Sequence, residues 1–235
     1  MSGSLWLVYN AAMPRKARVP VIDAPHHIYL RAPVRRVLFY SDKDRRAYLE
    51  ILADQARKCK LDILAYCLMR DHVNLVAIPR RRNALANAIG RTSFSYTNYI
   101  NNRRNRDSQV WRGRFQSCAL DGKYLKIAVR NVECQPVYEG LVRKPEKYRW
   151  SSASAHISGK DQFDILAMDV WPPKSTIKNW ADLLAGKLSE DVREKLRTYT
   201  QTGRPLGGRE FIEPLEKKFR RRLHPLPIGR PRKDT

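Results

Sequence analysis

Over residues 20–33 polar and apolar positions alternate with period two. His27, Tyr29 and Arg31 share one face of a strand entered from a Pro-bounded turn. The period then becomes helical. Tyr48, Ile51, Leu52 and Ala56 recur at helical spacing, and Asp42 or Asp44 can cap a helix reaching about Cys59. Leu61–Leu68 is an apolar run of strand length. Met69-Arg70-Asp71 makes a tight connection, and His72–Ile78 is a strand that Pro79 stops, so the two predict a hairpin. Leu85, Ala88, Ile89, Thr92, Tyr96, Tyr99 and Ile100 mark the inward stripe of a helix over about 83–102. Trp111–Leu120 alternates as a strand, and 123–134 is helical up to Pro136. Strand–helix–strand–strand–helix–strand is the order of an α+β, ferredoxin-like split βαβ domain with an antiparallel sheet.

After Trp150 the texture becomes polar, and 151–175, with Trp171-Pro172-Pro173, reads as a connector. Short helices are predicted near 177–186 and 189–200, the second capped by Ser189, and an amphipathic helix over 208–223. Prolines 225, 227 and 231 make 224–235 an irregular basic tail. Met13 opens a basic stretch, so translation from Met13 would make 1–12 a dispensable leader. The expected organisation is 1–12 leader, 13–150 main domain, 151–175 connector, 176–223 small helical C-terminal extension and 224–235 tail.

Composition narrows the function. The 235 residues carry 46 Lys and Arg against 23 Asp and Glu, a formal charge of +23, so a polyanion is the default partner. No apolar run approaches the roughly 18 residues of a membrane span. Four cysteines without metal spacing read as free thiols of a reducing cytoplasm. Arg91, Arg103, Arg104, Arg106, Arg112 and Arg114 crowd the second long helix and the last strand, as expected of a phosphate-binding surface. Arg15, Lys16 and Arg18 form a basic arm. Tyr96, Tyr99 and Trp111 either stack on unpaired bases or pack inward, and helical spacing favours the core for at least one tyrosine.

Candidate chemistry is sparse. His72 and Asn74, two apart on a strand, project from one sheet face. Asn131 and Gln135, four apart near a helix end, share a helix face. Together they make a cradle for one divalent cation, or His72 and Asn74 merely satisfy each other.

At this point a resemblance emerges. Ala65–Met69 followed by Asp71–Val76 resembles the HUH strand (His, bulky apolar residue, His) of single-tyrosine transposases, closest to the REP-associated tyrosine transposases. In the same order, Met13–Arg18, Pro25-His26-His27, Trp111–Phe115, Arg130–Val142, Tyr148–Ala153, Thr202–Gly207 and Gly229–Lys233 are similar to that family's blocks. The resemblance implies an HUH domain in which His72, position 74 and Gln135 hold Mg2+ or Mn2+. The ion polarises a scissile phosphate of single-stranded DNA beside a hairpin, and a helix-borne tyrosine attacks to form a phosphotyrosine.

Two positions depart from that pattern. Asn74 stands at the second histidine and Asn131 at the catalytic tyrosine. An amide is not a usable nucleophile. Tyr124, the alternative phenol, lies seven residues earlier, about 10.5 Å along the helix axis. The expectation is therefore a cytoplasmic, nucleoid-associated protein, monomer or homodimer. It binds DNA hairpins, holds Mg2+ or Mn2+ weakly and has lost or impaired cleavage and strand transfer. The alternatives are an active metal-dependent endonuclease using water or Tyr124, and an RNA-hairpin-binding regulator.

Overall fold

The computed structural model describes residues 18–172 and 179–224. The leader, Arg15, Lys16 and the tail from residue 225 lie outside the described residues. In chain order the elements are β1 (His26–Arg31), α1 (Asp42–Cys59), β2 (Leu61–Leu68), β3 (His72–Pro79), α2 (Ala84–Arg103), β4 (Gln116–Ala119), α3 (Gly122–Glu133) and α4 (Gln135–Tyr138). Then follow α5 (Ala153–Ser158), α6 (Trp180–Ala185), α7 (Glu190–Thr202) and α8 (Arg209–Phe219). The sheet order is β2-β3-β1-β4 with every neighbour antiparallel, the expected ferredoxin-like arrangement.

Alternation divides the sheet into two faces. Ile28, Leu30, Val73, Leu75 and Ala77 pack against α1 and α2. Val76 and Cys118 pack on the opposite side, among Ala128, Val129 and Val132 of α3 and Leu196 of α7. The apolar run of β2 serves both faces through an irregularity. Ile63 pairs with Ala77 but Ala65 with Val76, so Leu64 is an extra residue. The parity flips there. Leu61, Ile63, Tyr66 and Leu68 join the first core, while Leu64, Ala65 and Cys67 join the second.

The start of α1 differs from the predicted caps. Ser41 is the N-cap, and Asp44 completes a capping box by accepting from the Ser41 amide at 2.9 Å. Asp42 instead accepts the Trp150 indole N–H at 3.0 Å.

The strand expected over 111–120 shortens to β4. The Trp111 indole N–H donates to the Ser93 carbonyl of α2 at 3.0 Å, and the Arg112 amide still meets the end of β1 at the Arg31 carbonyl, 2.9 Å away. Tyr96 and Trp111 are core residues and not stacking platforms. Tyr96 is fully buried, donates to the Leu38 carbonyl at 2.7 Å and stands edge-on to Tyr48. Tyr99 is partly buried and stacked on Tyr96.

Residues 151–172 of the expected connector 151–175 are not loose. They contain α5, bridge β2 at Cys67–Ser151 and Ile63–Leu166, and set Trp171 edge-on to Trp180 of α6. The cause is a polar knot at the end of α3. The fully buried Glu133 carboxylate accepts from Ser152 Oγ at 2.5 Å and from the Trp180 indole N–H at 2.7 Å, with His156 beside it. Those two hydrogen bonds tie α3, α5 and α6 into the second core.

Candidate metal and nucleic-acid site

On the second face the sheet is not fully covered. A cavity of about 850 Å3 opens over the ends of β1 and β3. Its floor is His27, Tyr29, Arg31, His72 and Asn74, which the register places on one face: Tyr29 opposite Asn74 and Arg31 opposite His72. One wall is Asn131, Gln135 and Glu139. The other is α7, with Arg193, Arg197 and Thr200, and Arg112 and Arg114 stand at the mouth. The C-terminal helices, expected as an appendage, thus build half of the site. The amphipathic stripe of α7 predicts that one face is buried but not which surface it meets.

His72 is nearly buried and held at one ring nitrogen. Its Nδ1 is 2.8 Å from Asp71 Oδ1, and its Nε2 is 3.6 Å from Glu139 Oε1. The His72 bond is the largest influence holding the Asp71 carboxyl below its ordinary range. Gln135 Nε2 donates to the same Glu139 oxygen at 3.0 Å. The side-chain amide of Asn74, on a residue only 4% exposed, has no hydrogen-bond partner among the described residues. Tyr29 lies beside His72 with ring centroids 5.4 Å apart. Burial raises its phenol pKa above the ordinary value; Asp71 and Glu139 add to the rise while Arg31 and Arg197 oppose it. Burial also drives His27 down to about 4, and its Nδ1 stands 2.7 Å from Thr200 Oγ1 of α7.

The residues expected to share the site therefore do so: His72, Asn74, Asn131 and Gln135 all line the cavity. Asn131 and Gln135 are not on one helix. α3 ends at Cys134, and α4 restarts with Pro136 near its N-terminus, where a missing N–H costs nothing. Tyr124 does not line the cavity. It packs against the second core and accepts a hydrogen bond from Lys195 at 3.0 Å.

The arginines divide. Arg112, Arg114 and Arg91 are exposed. Arg18 lies 3.6 Å over the Phe115 ring and donates to the Phe115 carbonyl at 3.0 Å. Three expected phosphate ligands at the end of α2 are engaged within the protein. Arg103 pairs with the buried Asp44, and Arg104 and Arg106 lie over Tyr40, because this helix end faces the acidic start of α1. Sequence reasoning missed Glu139, Tyr29, Arg193 and Arg197. For Glu139 no spacing signal existed, because it lies past Pro136 and outside the ligand positions that the resemblance implies.

Among the described residues no three His, Cys, Asp or Glu side chains form a metal-binding group. The donors in the cavity nonetheless suit a hard divalent ion: one imidazole, one carboxylate and two amides. Bonds of about 2.1 Å in an octahedron set neighbouring donors about 3.0 Å apart and opposite donors about 4.2 Å apart. The 3.6 Å between His72 Nε2 and Glu139 Oε1 lies between those two values, so a cation held by both would draw the two side chains together. The Asp71 contact to Nδ1 matches the usual outer support of a metal-bound imidazole.

Residues 21–135 match the family described as transposase IS200 like. This domain belongs to the IS200-like transposase family. A solved structure of a REP-associated tyrosine transposase bound to a REP hairpin shares the fold. Its TM-score is 0.55 at 14% identity, covering 75% of this chain and 96% of that one. No curated protein sequence matches the chain. The matched region of this transposase-family protein supplies β1 through Gln135, hence every cavity residue except Glu139 and those of α7 and its flank. No helix among the described residues is long and apolar enough to cross a membrane.

Proposed function

We propose that this transposase-family protein binds hairpin-forming single-stranded DNA and does not cut it by the tyrosine route. One observation carries the reading. The residue presented to His72 and Gln135 from the end of α3 is Asn131, whose amide cannot attack phosphorus. Binding has independent support. The formal charge is +23, and Arg112 and Arg114 stand at the mouth of the cavity, whereas Arg193 and Arg197 on its wall are paired with Glu190 and Glu194. The solved relative of like fold is bound to a REP hairpin. His72, Asn74 and Gln135 would hold Mg2+ or Mn2+ weakly, and the chemistry such an ion supplies is polarisation of a phosphate oxygen. A cytoplasmic, nucleoid-associated monomer or homodimer fits this role.

The test pairs two measurements on one hairpin library. Fluorescence anisotropy should show hairpin binding whose log affinity falls with log salt, at about −0.7 per phosphate contacted on single strands. A denaturing gel should show no protein–DNA adduct. A flat salt response refutes the binding half. A covalent adduct, at Tyr29, Tyr124 or elsewhere, refutes the other half. Tighter binding to the RNA version of the hairpin would move the assignment to RNA.

A further inference from the structure

We propose that Glu139 has become the anionic ligand of the cavity's divalent-ion site and takes the place left open by Asn74. This rests on the reading of the cavity as a site of that family, and goes beyond it by adding a ligand to the set His72, position 74 and Gln135.

Three observations converge. First, Glu139 stands where its oxygen is 3.6 Å from His72 Nε2 and 3.0 Å from Gln135 Nε2, between the two expected ligands that the chain retains. Second, His72 has no need of Glu139 as a structural partner, because Asp71 already engages its Nδ1 at 2.8 Å. Nε2 is thereby aimed into the cavity, the orientation of a ligating imidazole supported from behind. Third, the Asn74 side chain lines the cavity and its amide has no hydrogen-bond partner among the described residues, so its oxygen is free to face a cation there. A cation between these groups satisfies all four: the Asn74 and Gln135 amide oxygens, the His72 nitrogen and the Glu139 carboxylate. Turning the Gln135 amide to present its oxygen exchanges two atoms that are nearly alike in shape.

The replacement alters the chemistry of the site. Two imidazoles and an amide are neutral donors. One imidazole, one carboxylate and two amides carry a negative charge and are oxygen-rich, which shifts preference from softer ions towards Mg2+ and Mn2+. Without a cation, Glu139 adds a negative charge to a cavity wall that already holds Glu190 and Glu194 beside its arginines, and repels a DNA phosphate there. With one, the same carboxylate holds the charge that attracts it.

The test is Mn2+ binding by the full chain without DNA, followed by loss of the free-ion electron paramagnetic resonance signal, with Mg2+ competing. Wild type should show one site. E139Q should bind at least about tenfold more weakly, E139D should fall between, and E139Q with N74H should recover Mn2+ binding. Thermal melts establish folding of each variant; if E139Q is unfolded, E139D and H72A carry the comparison. Wild-type affinity in E139Q, or no Mn2+ binding by wild type at millimolar ion, overturns the assignment. Hairpin binding by wild type in EDTA is measured alongside. Its retention with no metal site removes only the Glu139 inference, whereas its loss in both EDTA and Mn2+ removes the DNA-binding reading itself.

Discussion

Replacing Glu133 with alanine should destabilise the protein by about 3 kcal/mol, while glutamine should cost within about 1 kcal/mol. The asymmetry follows from the partners. Trp180 is fully buried, and its indole N–H has the Glu133 carboxylate as acceptor at 2.7 Å. Removing that acceptor strands a buried donor, at about 1–3 kcal/mol. The lost methylene and the unfilled space add about 1 kcal/mol or more. Ser152 adds little, because its hydroxyl also meets the Tyr66 amide at 3.2 Å and the Tyr66 carbonyl at 3.4 Å. Glutamine keeps an oxygen for Trp180 and turns its NH2 to Ser152 Oγ, which then donates to Tyr66. At about 2–4 °C per kcal/mol for a chain of this size, Glu133→Ala should melt about 6–12 °C below wild type. Differential scanning calorimetry with tryptophan fluorescence measures both variants. An alanine variant melting within about 2 °C of wild type, or glutamine as damaging as alanine, would refute the argument that this carboxylate fastens α5 and α6 to α3.

The remaining predictions concern pH, the nucleophile position and the rim. His26 and His27 are both held down to about 4, chiefly by burial, against about 6.5 unfolded. Their contribution is therefore present above pH 6.5 and lost as pH falls from 6.5 towards 4, at a slope approaching about 1.4 kcal/mol per pH unit for each. Urea titrations at several pH values measure it, and constant stability across that window would contradict the assignment. Asn131→Tyr with Asn74→His should restore a trappable tyrosine–DNA adduct, and each change alone should restore little, since attack and phosphate polarisation act on one transition state. A double variant that binds DNA without forming the adduct would show that the backbone geometry has drifted too. Arg112→Ala or Arg114→Ala should weaken hairpin binding evenly across sequences and flatten the salt slope by about 0.7 each. A sequence-selective loss would instead assign that arginine to base readout.

Much of this was legible in the chain because it is local. Period-two and helical stripes place β1, the β2–β3 hairpin, α1 and α2, and strict order then leaves little choice of sheet. The pair His72 and Asn74 is legible for the same reason, since a strand fixes which side chains share a face. What was hidden depends on tertiary partners. Arg103 looks like a phosphate ligand until Asp44 of a distant helix is found beneath it. Tyr96 and Trp111 suit either a base or a core, and only the packing of Tyr48 and Phe39 decides. The polar texture of 151–175 hides Ser152, whose hydroxyl is spent on one buried carboxylate, and His156, which is buried beside the same group. Glu139 sits past a proline, where spacing rules no longer say which way a side chain points.

The closure of the cavity by α7 imposes an order on biosynthesis. Domains form from the N-terminal side as the chain emerges. The sheet can therefore assemble while residues 190–202 have yet to be made. Until then His27 lacks Thr200, Cys118 lacks its cover, and the wall carrying Arg193 and Arg197 does not exist. A ribosome stalled before Glu190, or a message cut short there, would release a sheet whose second face keeps α3 but lacks α7. Such a product exposes the apolar surface that Leu196 covers and lacks one wall of the cavity, so any pool of shortened chains should go to proteolysis.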